Sequence, residues 1–223
     1  MPSGIDARPA HVVWDWNGTL LDDFALTARI ARRTLETLGV PGVGAEDIRS
    51  HFRRPYADFY ARLFGRPITA IEYEFIRERY ETEYGAEVLD LSLQPDAGAA
   101  MDLVAEHAAT QSLLSMAHDE QLQQLVDHHR IRGRFLRVEG SPSTDSDGNK
   151  VARLAGHLAA MGVGANSTVV IGDTVDDHEA AVSCGARSVL VTTGTTARSS
   201  LAETGAPVMD TLLAAAQVAI GVI

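Results

Sequence analysis

HVVWDWNGTLL, the stretch at residues 11–21, places a short apolar run directly before Asp15 and a glycine shortly after it. The apolar run favours a buried strand, whereas Gly18 favours a turn. The stretch therefore predicts a strand whose carboxyl end delivers the Asp15 carboxylate to a loop.

Similar apolar, β-branched runs recur along the chain, each ending in polar or glycine residues. They predict five strands, at residues 12–15, 112–115, 135–139, 168–172 and 188–192. Apolar residues at helical spacing lie between most of these runs. Strand and helix in alternation predict an α/β fold, with a doubly wound parallel sheet and helices on both faces. Ligands of such sheets bind beyond the carboxyl ends of the strands.

One segment, residues 23–91, breaks the alternation because its patterns are helical only. It predicts an inserted α-helical bundle, with a core domain made of residues 1–22 and 92–223. The aromatic residues of the segment are interpreted as bundle core: Phe52, Tyr56, Phe59, Tyr60 and Phe64. Arg53 and Arg54 are interpreted as solvated charges, with contact to a substrate anion as the alternative.

The composition limits the classes of function. The chain has 223 residues, 45% of them hydrophobic, and a net charge of -11, which disfavours binding to nucleic acid. No apolar run approaches the length of a membrane span, and the amino terminus lacks the apolar stretch of a signal peptide. A single cysteine, Cys184, excludes a disulfide within the chain, so we expect a cytoplasmic protein. The expected oligomeric state is a monomer or a homodimer.

Four polar elements carry the predicted chemistry. Carboxylates at two strand ends, Asp15 and Asp173, can hold Mg²⁺, which prefers oxygen ligands. Asp177 follows one helical turn later, where an acid can also cap a helix. Ser115 offers a hydroxyl to a phosphoryl oxygen. Lys150 is a cation at a helix start, where the helix dipole favours an anion, so its position indicates a bound anion nearby.

DWNGTL at residues 15–20 resembles the first motif of the haloacid dehalogenase superfamily, which runs Asp-x-Asp-Gly-Thr-Leu in its phosphatases. GDTVDD at residues 172–177 resembles the fourth motif, and Ser115 and Lys150 resemble residues of the second and third. The four elements occur in family order, and the segment around Asp173 resembles the phosphoglycolate-phosphatase-like branch. Two departures are Met116, where the family often has asparagine, and the absence of a proline after Lys150.

The resemblance implies a Rossmann-like core with a helical cap at residues 23–91. It implies an Mg²⁺-dependent phosphatase that acts on a small phosphorylated metabolite through an aspartyl-phosphate at Asp15. The implied metal ligands are Asp15, Asp173 and the backbone carbonyl of Asn17, with Asp177 as a second acid behind them. The implied phosphate-binding residues are Trp16, Gly18, Ser115, Met116 and Lys150.

Asn17 departs from the family pattern. In relatives with aspartate at this position, that acid protonates the leaving alcohol and then activates water, and an amide does neither. Since general acid/base catalysis contributes about 10²- to 10⁴-fold, the substitution predicts slow turnover with metal binding retained.

Several functions stay open on this sequence. The first is a slow phosphatase, or one that uses another acid such as His118 or a cap residue. The second is a phosphotransferase, and the third is a non-catalytic, phosphate-binding regulatory protein. A haloacid dehalogenase is disfavoured, because Asp173 and Asp177 indicate a metal site.

Overall fold

The computed structural model describes residues 9–107, 110–142 and 149–222. The first eight residues of the predicted core, where no signal peptide is expected, lie outside the described residues. The described strands are β1 (His11–Trp14), β2 (Thr110–His118), β3 (Val138–Ser141), β4 (Thr168–Gly172), β5 (Arg187–Val191) and β6 (Val208–Met209). The described helices are α1 (Phe24–Thr37), α2 (Ala45–His51), α3 (Tyr56–Phe64), α4 (Ala70–Glu87), α5 (Ala97–Glu106), α6 (Asp119–His128), α7 (Lys150–Met161), α8 (Val175–Cys184), α9 (Arg198–Glu203) and α10 (Leu212–Ala219).

Among the described residues, the strands form a parallel sheet in the order β3-β2-β1-β4-β5-β6. The chain builds outward from β1 to β3, and then returns past β1 to add β4, β5 and β6 on the other side. In sheets of this order, ligands bind at the carboxyl ends of the central strands, where the winding direction reverses. The predicted doubly wound parallel sheet is therefore confirmed.

The strand ends differ from the sequence prediction in instructive ways. β6 was not predicted, because two residues carry no periodic pattern. β3 starts three residues later than predicted and extends past the predicted end at Glu139 through Gly140 and Ser141. Gly140 is needed there, since a Cβ on it would lie 2.5 Å from the Cα of Asp119.

Alternate residues of β1 supply two apolar layers. Val13 packs with Leu114, Leu154 and Val170 on the face covered by α7 and α8. Trp14 faces the opposite layer, which contains residues of α5, α6 and α10. Because helices cover both faces, all four residues of β1 are buried, and three of them are apolar.

The segment between β1 and β2 contains the helices α1 to α4. Its own apolar cluster is built from Phe24, Ala28, Ala31, Leu35, Val43, Ile48, Phe59, Tyr60 and Ile76. Leu26 and Ile30 of α1, and Tyr84 of α4, pack instead with the apolar layer of the sheet. We call residues 24–90 the insertion. No helix in the described ranges combines the length and the apolar character that crossing a membrane requires.

A polar cluster of three buried residues and the half-buried Glu139 crosses the sheet away from its carboxyl edge. We call His11, Ser112, His157 and Glu139 the histidine cluster. Nδ1 of His157 lies 3.0 Å from Oε2 of Glu139, and Nε2 of His157 and Nε2 of His11 each lie 2.8 Å from the Ser112 hydroxyl. Because a carboxylate can only accept, His157 donates to Glu139, Ser112 donates to His157 and His11 donates to Ser112.

Candidate active site

The predicted acids meet at the carboxyl edge of the sheet. Asp15 follows β1 and Asp173 follows β4, and the Asp15 N–H donates to the Ile171 carbonyl oxygen at 2.9 Å. Asp177 lies in the first turn of α8. Carboxylate oxygens of the three acids lie within 4.8 Å of one another, and all three side chains are buried.

Lys150 joins these acids as the first residue of α7. The helix starts there because the Asn149 side chain caps it, accepting from the Val151 N–H at 2.9 Å. Nζ of Lys150 donates to Oδ1 of Asp15 at 2.6 Å and forms an ion pair with Oδ1 of Asp177 at 2.5 Å. The anions that its position indicated are thus these two carboxylates. We call Asp15, Asp173, Asp177 and Lys150 the carboxylate cluster.

Glycines allow the acids to approach the backbone. A Cβ on Gly172 would lie 2.1 Å from Cγ of Asp177, and one on Gly194 would lie 1.9 Å from Oδ2 of Asp173. A Cβ on Gly18 would lie 2.7 Å from the same Asp173 oxygen, and its φ of +70° also favours glycine. Since carbon contacts are optimal at roughly 3.5–4.0 Å, side chains at these positions would push the acids apart.

Burial and mutual repulsion control the charges of the cluster. Burial raises the pKa of Asp15 to about 6, with Lys150 opposing the shift and Asp177 adding to it. Burial, together with the carboxylates of Asp15 and Asp177, holds the pKa of Asp173 well above its usual range. Burial alone would lower the pKa of Lys150, but its two carboxylate partners outweigh burial and raise it. One ammonium thus faces three acids that repel one another.

The donor set of this cluster fits a divalent cation. Its metal-ligating atoms are carboxylate oxygens, which hard ions such as Mg²⁺ prefer. Three buried acids around one ammonium also repel one another when ionised, and a divalent cation would relieve that repulsion. The residues present can therefore hold a divalent metal ion at the end of β1 and β4.

The Asn17 side chain is bound to Asp23, directly before the insertion, and to Tyr84 within it. Its Nδ2 donates to Oδ2 of Asp23 at 2.8 Å and to the Tyr84 hydroxyl at 2.7 Å. Tyr84 in turn donates to Oδ2 of Asp23 at 2.7 Å, and the Gly18 N–H donates to Oδ1 at 2.7 Å. Burial raises the pKa of Asp23, and these three donors oppose the shift. An aspartate at position 17 would bring a second carboxylate against this buried acid.

The residues implied for phosphate binding lie near Asp15 with different partners. Ser115 and Met116 line the cavity described below, and Oγ of Ser115 accepts from the Ala117 N–H at 3.0 Å. Ser115 lies within β2, beyond its last pairing with β1 and inside an irregular stretch between Leu114 and His118. The Trp16 N–H contacts the Asp15 carboxylate. As described above, the Gly18 N–H is engaged by Asp23.

A cavity of about 430 Å³ opens between the carboxylate cluster and the insertion. Arg54 lines it and pairs with Asp176 of α8 at 3.2 Å, while its Nη1 is buried without a hydrogen-bond partner among the described residues. Arg53 is exposed. His118 also lines the cavity, and its buried Nδ1 has no hydrogen-bond partner in the described part of the chain. An arginine N–H group and a histidine ring nitrogen are therefore available at the cavity wall.

Sequence reasoning missed several residues of this site. Asp23 and Tyr84, which bind Asn17, carry no motif of their own. Thr195 was also missed, although its N–H and hydroxyl donate to Oδ2 of Asp173 at 2.8 and 3.1 Å. The run of threonines at residues 192–196, directly after β5, was the available signal, since it ends at the carboxyl edge of the sheet.

A parallel sheet with a lysine-held aspartate after β1 and an acidic pair after β4 defines a class of hydrolase. The family model of haloacid dehalogenase-like hydrolases matches residues 12–191. The chain belongs to this family, as the resemblance of its motifs indicated. A search of curated proteins gave no significant match.

Solved structures share this fold over nearly their whole lengths. A predicted phosphatase from Clostridium acetobutylicum is 14% identical, with a TM-score of 0.78 over 95% of this chain and 98% of that one. A haloacid dehalogenase-like hydrolase from Streptococcus pneumoniae is 19% identical, with a TM-score of 0.77 over 92% and 96%. A predicted phosphoglycolate phosphatase from Haemophilus somnus is 16% identical, with a TM-score of 0.72 over 94% and 97%. These likenesses concern the fold.

Proposed function

We propose that the protein is an Mg²⁺-dependent phosphatase that hydrolyses a small phosphate ester through an aspartyl-phosphate at Asp15. One observation carries this proposal: the Asp15 carboxylate lies at the head of a cavity, with Lys150 bound to it at 2.6 Å. A carboxylate held in this way can attack phosphorus and split one difficult displacement into two easier ones. Lys150 keeps the nucleophile oriented, and its charge favours the approach of an anionic phosphoryl group.

In the first step, the Asp15 carboxylate bonds to phosphorus and the bond from phosphorus to the ester oxygen breaks. Water then attacks the acyl phosphate, which releases phosphate and restores Asp15. Ser115, Met116 and the backbone amides around Trp16 and Gly18 are the proposed phosphoryl-binding groups. The unpartnered Nη1 of Arg54 adds a charged donor from the insertion.

Mg²⁺ is the metal that we assign to the carboxylate cluster. Asp15, Asp173 and the backbone carbonyl of Asn17 would hold it, with Asp177 behind them. When bound, the ion would neutralise charge on the phosphoryl oxygens. The support is the oxygen-only donor set and the mutual repulsion of the three acids.

The leaving alcohol needs a proton that Asn17 cannot give. Its amide is not an acid, and both of its described contacts are donated to Asp23 and Tyr84. We assign proton donation to His118, because it lines the cavity and its buried Nδ1 has no described partner. A histidine that is not held by a neighbour transfers protons less efficiently than a positioned aspartate, so we expect slow turnover.

We further propose the domain division that the sequence predicts: a core of residues 1–22 and 92–223 and a cap of residues 23–91. The support is the separate apolar cluster of the helices between β1 and β2. The Arg54 to Asp176 ion pair then links cap to core beside the cavity. A cytoplasmic location, and a monomeric or homodimeric state, remain predictions from the sequence.

Phosphate release from a panel of small phosphate esters with Mg²⁺ tests the proposal. We expect release by the wild type, loss of release in EDTA, and a phosphorylated Asp15 peptide after acid quenching and mass spectrometry. Asp15→Asn is the control, and it should give neither product. If the wild type gives neither product with any ester, the phosphatase proposal is wrong; if release survives EDTA, only the metal assignment is wrong.

A further inference from the structure

The cavity beside Asp15 has the dimensions of a site for an organic molecule rather than for phosphate alone. Its volume of about 430 Å³ lies within the usual range of small-molecule sites, roughly 300–1,000 Å³. Asp15 and Lys150 lie at its core side, and residues of the insertion form much of the remaining wall. The insertion's part of the wall therefore contacts the alcohol of a bound ester.

Aromatic side chains dominate that part of the wall. They include Phe52, Tyr56, Phe59, Tyr60, Tyr80 and Tyr84. The rings of Phe52 and Phe59 pack with centroids 5.6 Å apart at 60°, and those of Tyr80 and Tyr84 stack at 5.1 Å and 17°. Because these rings hold one another in place, a planar ring that enters the cavity meets a preorganised aromatic surface.

The charges of the cavity disfavour a second anion on the substrate. The acids that line it among the described residues are Asp15, Asp23, Glu81, Asp173 and Asp176, and the lysine and arginine residues are Arg54, Arg77 and Lys150. A divalent cation at the carboxylate cluster would only balance this excess of acids. An acid on the alcohol would then restore a net negative charge beside buried carboxylates.

The three cations already have partners or assigned roles, so none of them is left to pair with an acid on the alcohol. Lys150 and Arg54 are the groups assigned to the phosphoryl end of the substrate. Arg77 is bound to Glu74 and Glu81, at 2.5 and 2.6 Å. To hold an acid on the alcohol, Arg77 would have to leave one of its two carboxylate partners.

We propose that the substrate is a phosphate monoester whose alcohol carries a planar aromatic ring and no negative charge, an inference that rests on the proposed phosphatase function. The ring lies against the aromatic wall of the insertion while the phosphoryl group lies at Asp15. A short acidic alcohol such as glycolate would leave that wall uncovered and place its charge among acids.

Three primary alkyl esters separate recognition of the alcohol from its leaving ability: benzyl phosphate, butyl phosphate and 2-phosphoglycolate. We expect kcat/KM for benzyl phosphate to exceed that for each of the others by at least about tenfold, since a filled apolar pocket discriminates by about 10- to 200-fold. Equal or higher kcat/KM for 2-phosphoglycolate would overturn the inference and leave the phosphatase function intact.

A matched pair of variants tests the wall itself. Phe52→Leu removes a ring from the cavity, whereas Phe64→Leu removes one that packs in the insertion without lining the cavity. For benzyl phosphate, we expect KM to rise about three- to tenfold in Phe52→Leu, with kcat unchanged and with KM for butyl phosphate little affected. Phe64→Leu should match the wild type. Equal effects of the two variants, or of Phe52→Leu on both esters, would contradict a ring-binding wall.

Calorimetry with benzylphosphonate, which cannot be hydrolysed at its carbon–phosphorus bond, measures binding without turnover. It therefore distinguishes failure of the phosphatase proposal from failure of the ring-binding proposal. Binding at least about tenfold tighter than that of butylphosphonate is expected. Such binding without turnover of any ester would refute the phosphatase and leave the ring-binding cavity standing. Turnover without this preference would refute the ring-binding cavity, and the absence of both would refute the two proposals together.

Discussion

The carboxylate cluster and the histidine cluster are both largely buried, and both draw residues from the region around β1, yet their polar groups are stabilised in different ways. In the histidine cluster, hydrogen bonds link Glu139 to His157, His157 to Ser112 and Ser112 to His11. Both imidazoles can make these hydrogen bonds in their neutral form. In the carboxylate cluster, three acids within 4.8 Å share one ammonium. The first cluster has its acid paired with Arg137 at 2.7 Å and its other polar groups hydrogen-bonded, whereas the second places three mutually repelling acids around one cation.

This difference indicates that the histidine cluster contributes to stability and the carboxylate cluster to function. A hydrogen-bond chain through two neutral imidazoles, which ends at an arginine-paired carboxylate, can hold β1, β2, β3 and α7 together without a ligand. A charge-rich cluster weakens the fold unless a cation or a substrate balances it, which is the usual character of a catalytic site. Asp23 lies between the two cases: it is an acid beside the candidate active site, but neutral donors hold it, namely Asn17, Tyr84 and the Gly18 N–H.

The largest expected effect is that of Asp15→Asn on activity. The substitution removes the proposed nucleophile, so kcat should fall by more than about 10⁴-fold. Since it also removes one of three mutually repelling acids, the melting temperature should stay the same or rise. Steady-state kinetics and thermal unfolding measure the two effects. A loss of stability together with activity would show that Asp15 belongs with the structural residues.

Lys150→Met should have the largest effect on stability. It leaves Asp15 and Asp177 without their cation, and loss of one partner of a buried ion pair costs about 3–5 kcal/mol. Urea unfolding in EDTA measures this change. The double variant Asp15→Asn with Lys150→Met should recover part of the loss, because one unpaired carboxylate is gone. Additive losses in this cycle would contradict the coupling of the two residues.

Acidification should weaken the histidine cluster. Burial, aided by the neighbouring His157, lowers the pKa of His11 from 6.5 to about 4. The unfolded chain thus binds the proton more readily, and His11 stabilises the fold above pH 6.5 and loses that contribution as the pH falls towards 4. At about 1.4 kcal/mol per pKa unit, the loss is about 3 kcal/mol.

Unfolding free energies of the wild type and of His11→Gln, compared between pH 7 and about pH 4, isolate this contribution. The gap between the two proteins should narrow as the pH falls. Acids with raised pKa values, such as Asp15 in the metal-free protein, act in the opposite direction, but they are common to both proteins. A constant gap would contradict a neutral His11.

His118→Gln should have the opposite pattern of effects from His11→Gln, because it should change activity and not stability. His118 lies at the cavity and has a free Nδ1 among the described groups, so its loss should lower kcat by about 10²-fold and leave the unfolding free energy nearly unchanged. Because a better leaving group needs less protonation, activity on an aryl phosphate should fall less than on an alkyl phosphate. Equal losses on both esters would assign His118 a role other than proton donation.

The smallest effect is expected for Asn17→Asp. A second carboxylate against Asp23 should cost about 1–3 kcal/mol in unfolding free energy, and it should bring no gain in kcat. The exchange variant Asn17→Asp with Asp23→Asn keeps one acid and one amide, and it should recover most of the stability. A strong gain in kcat for the single variant would show that Asn17 is a damaged acid and not the partner of Asp23.

Much of the fold was predictable because its signals are local. The five predicted strands exist, and β4 has the predicted bounds. The order of Asp15, Ser115, Lys150 and Asp173 along the chain was enough to expect them at one edge of a parallel sheet. β6 was missed because its sheet pairing with β5, and not an apolar pattern, makes it a strand.

The interpretation of the insertion's aromatic residues was incomplete for a similar reason. Phe59 and Tyr60 do belong to the apolar cluster of the insertion, as predicted, but they also line the cavity. Arg54, interpreted as a surface charge, pairs with Asp176 beside that cavity, whereas Arg53 is exposed. Helical periodicity identifies a buried face, but it cannot distinguish a packed neighbour from a ligand on that face.

The sequence by itself determined the strand that carries Asp15, the acids and lysine that join it, and the family, because each depends on residue type and short spacing. Only the tertiary structure decided what holds Asn17, since its partner Tyr84 lies 67 residues away and enters through a separate helix. The same holds for Thr195 beside Asp173, and for the aromatic cavity. These contacts join segments that no local pattern relates, so packing of the whole chain was needed to bring them together.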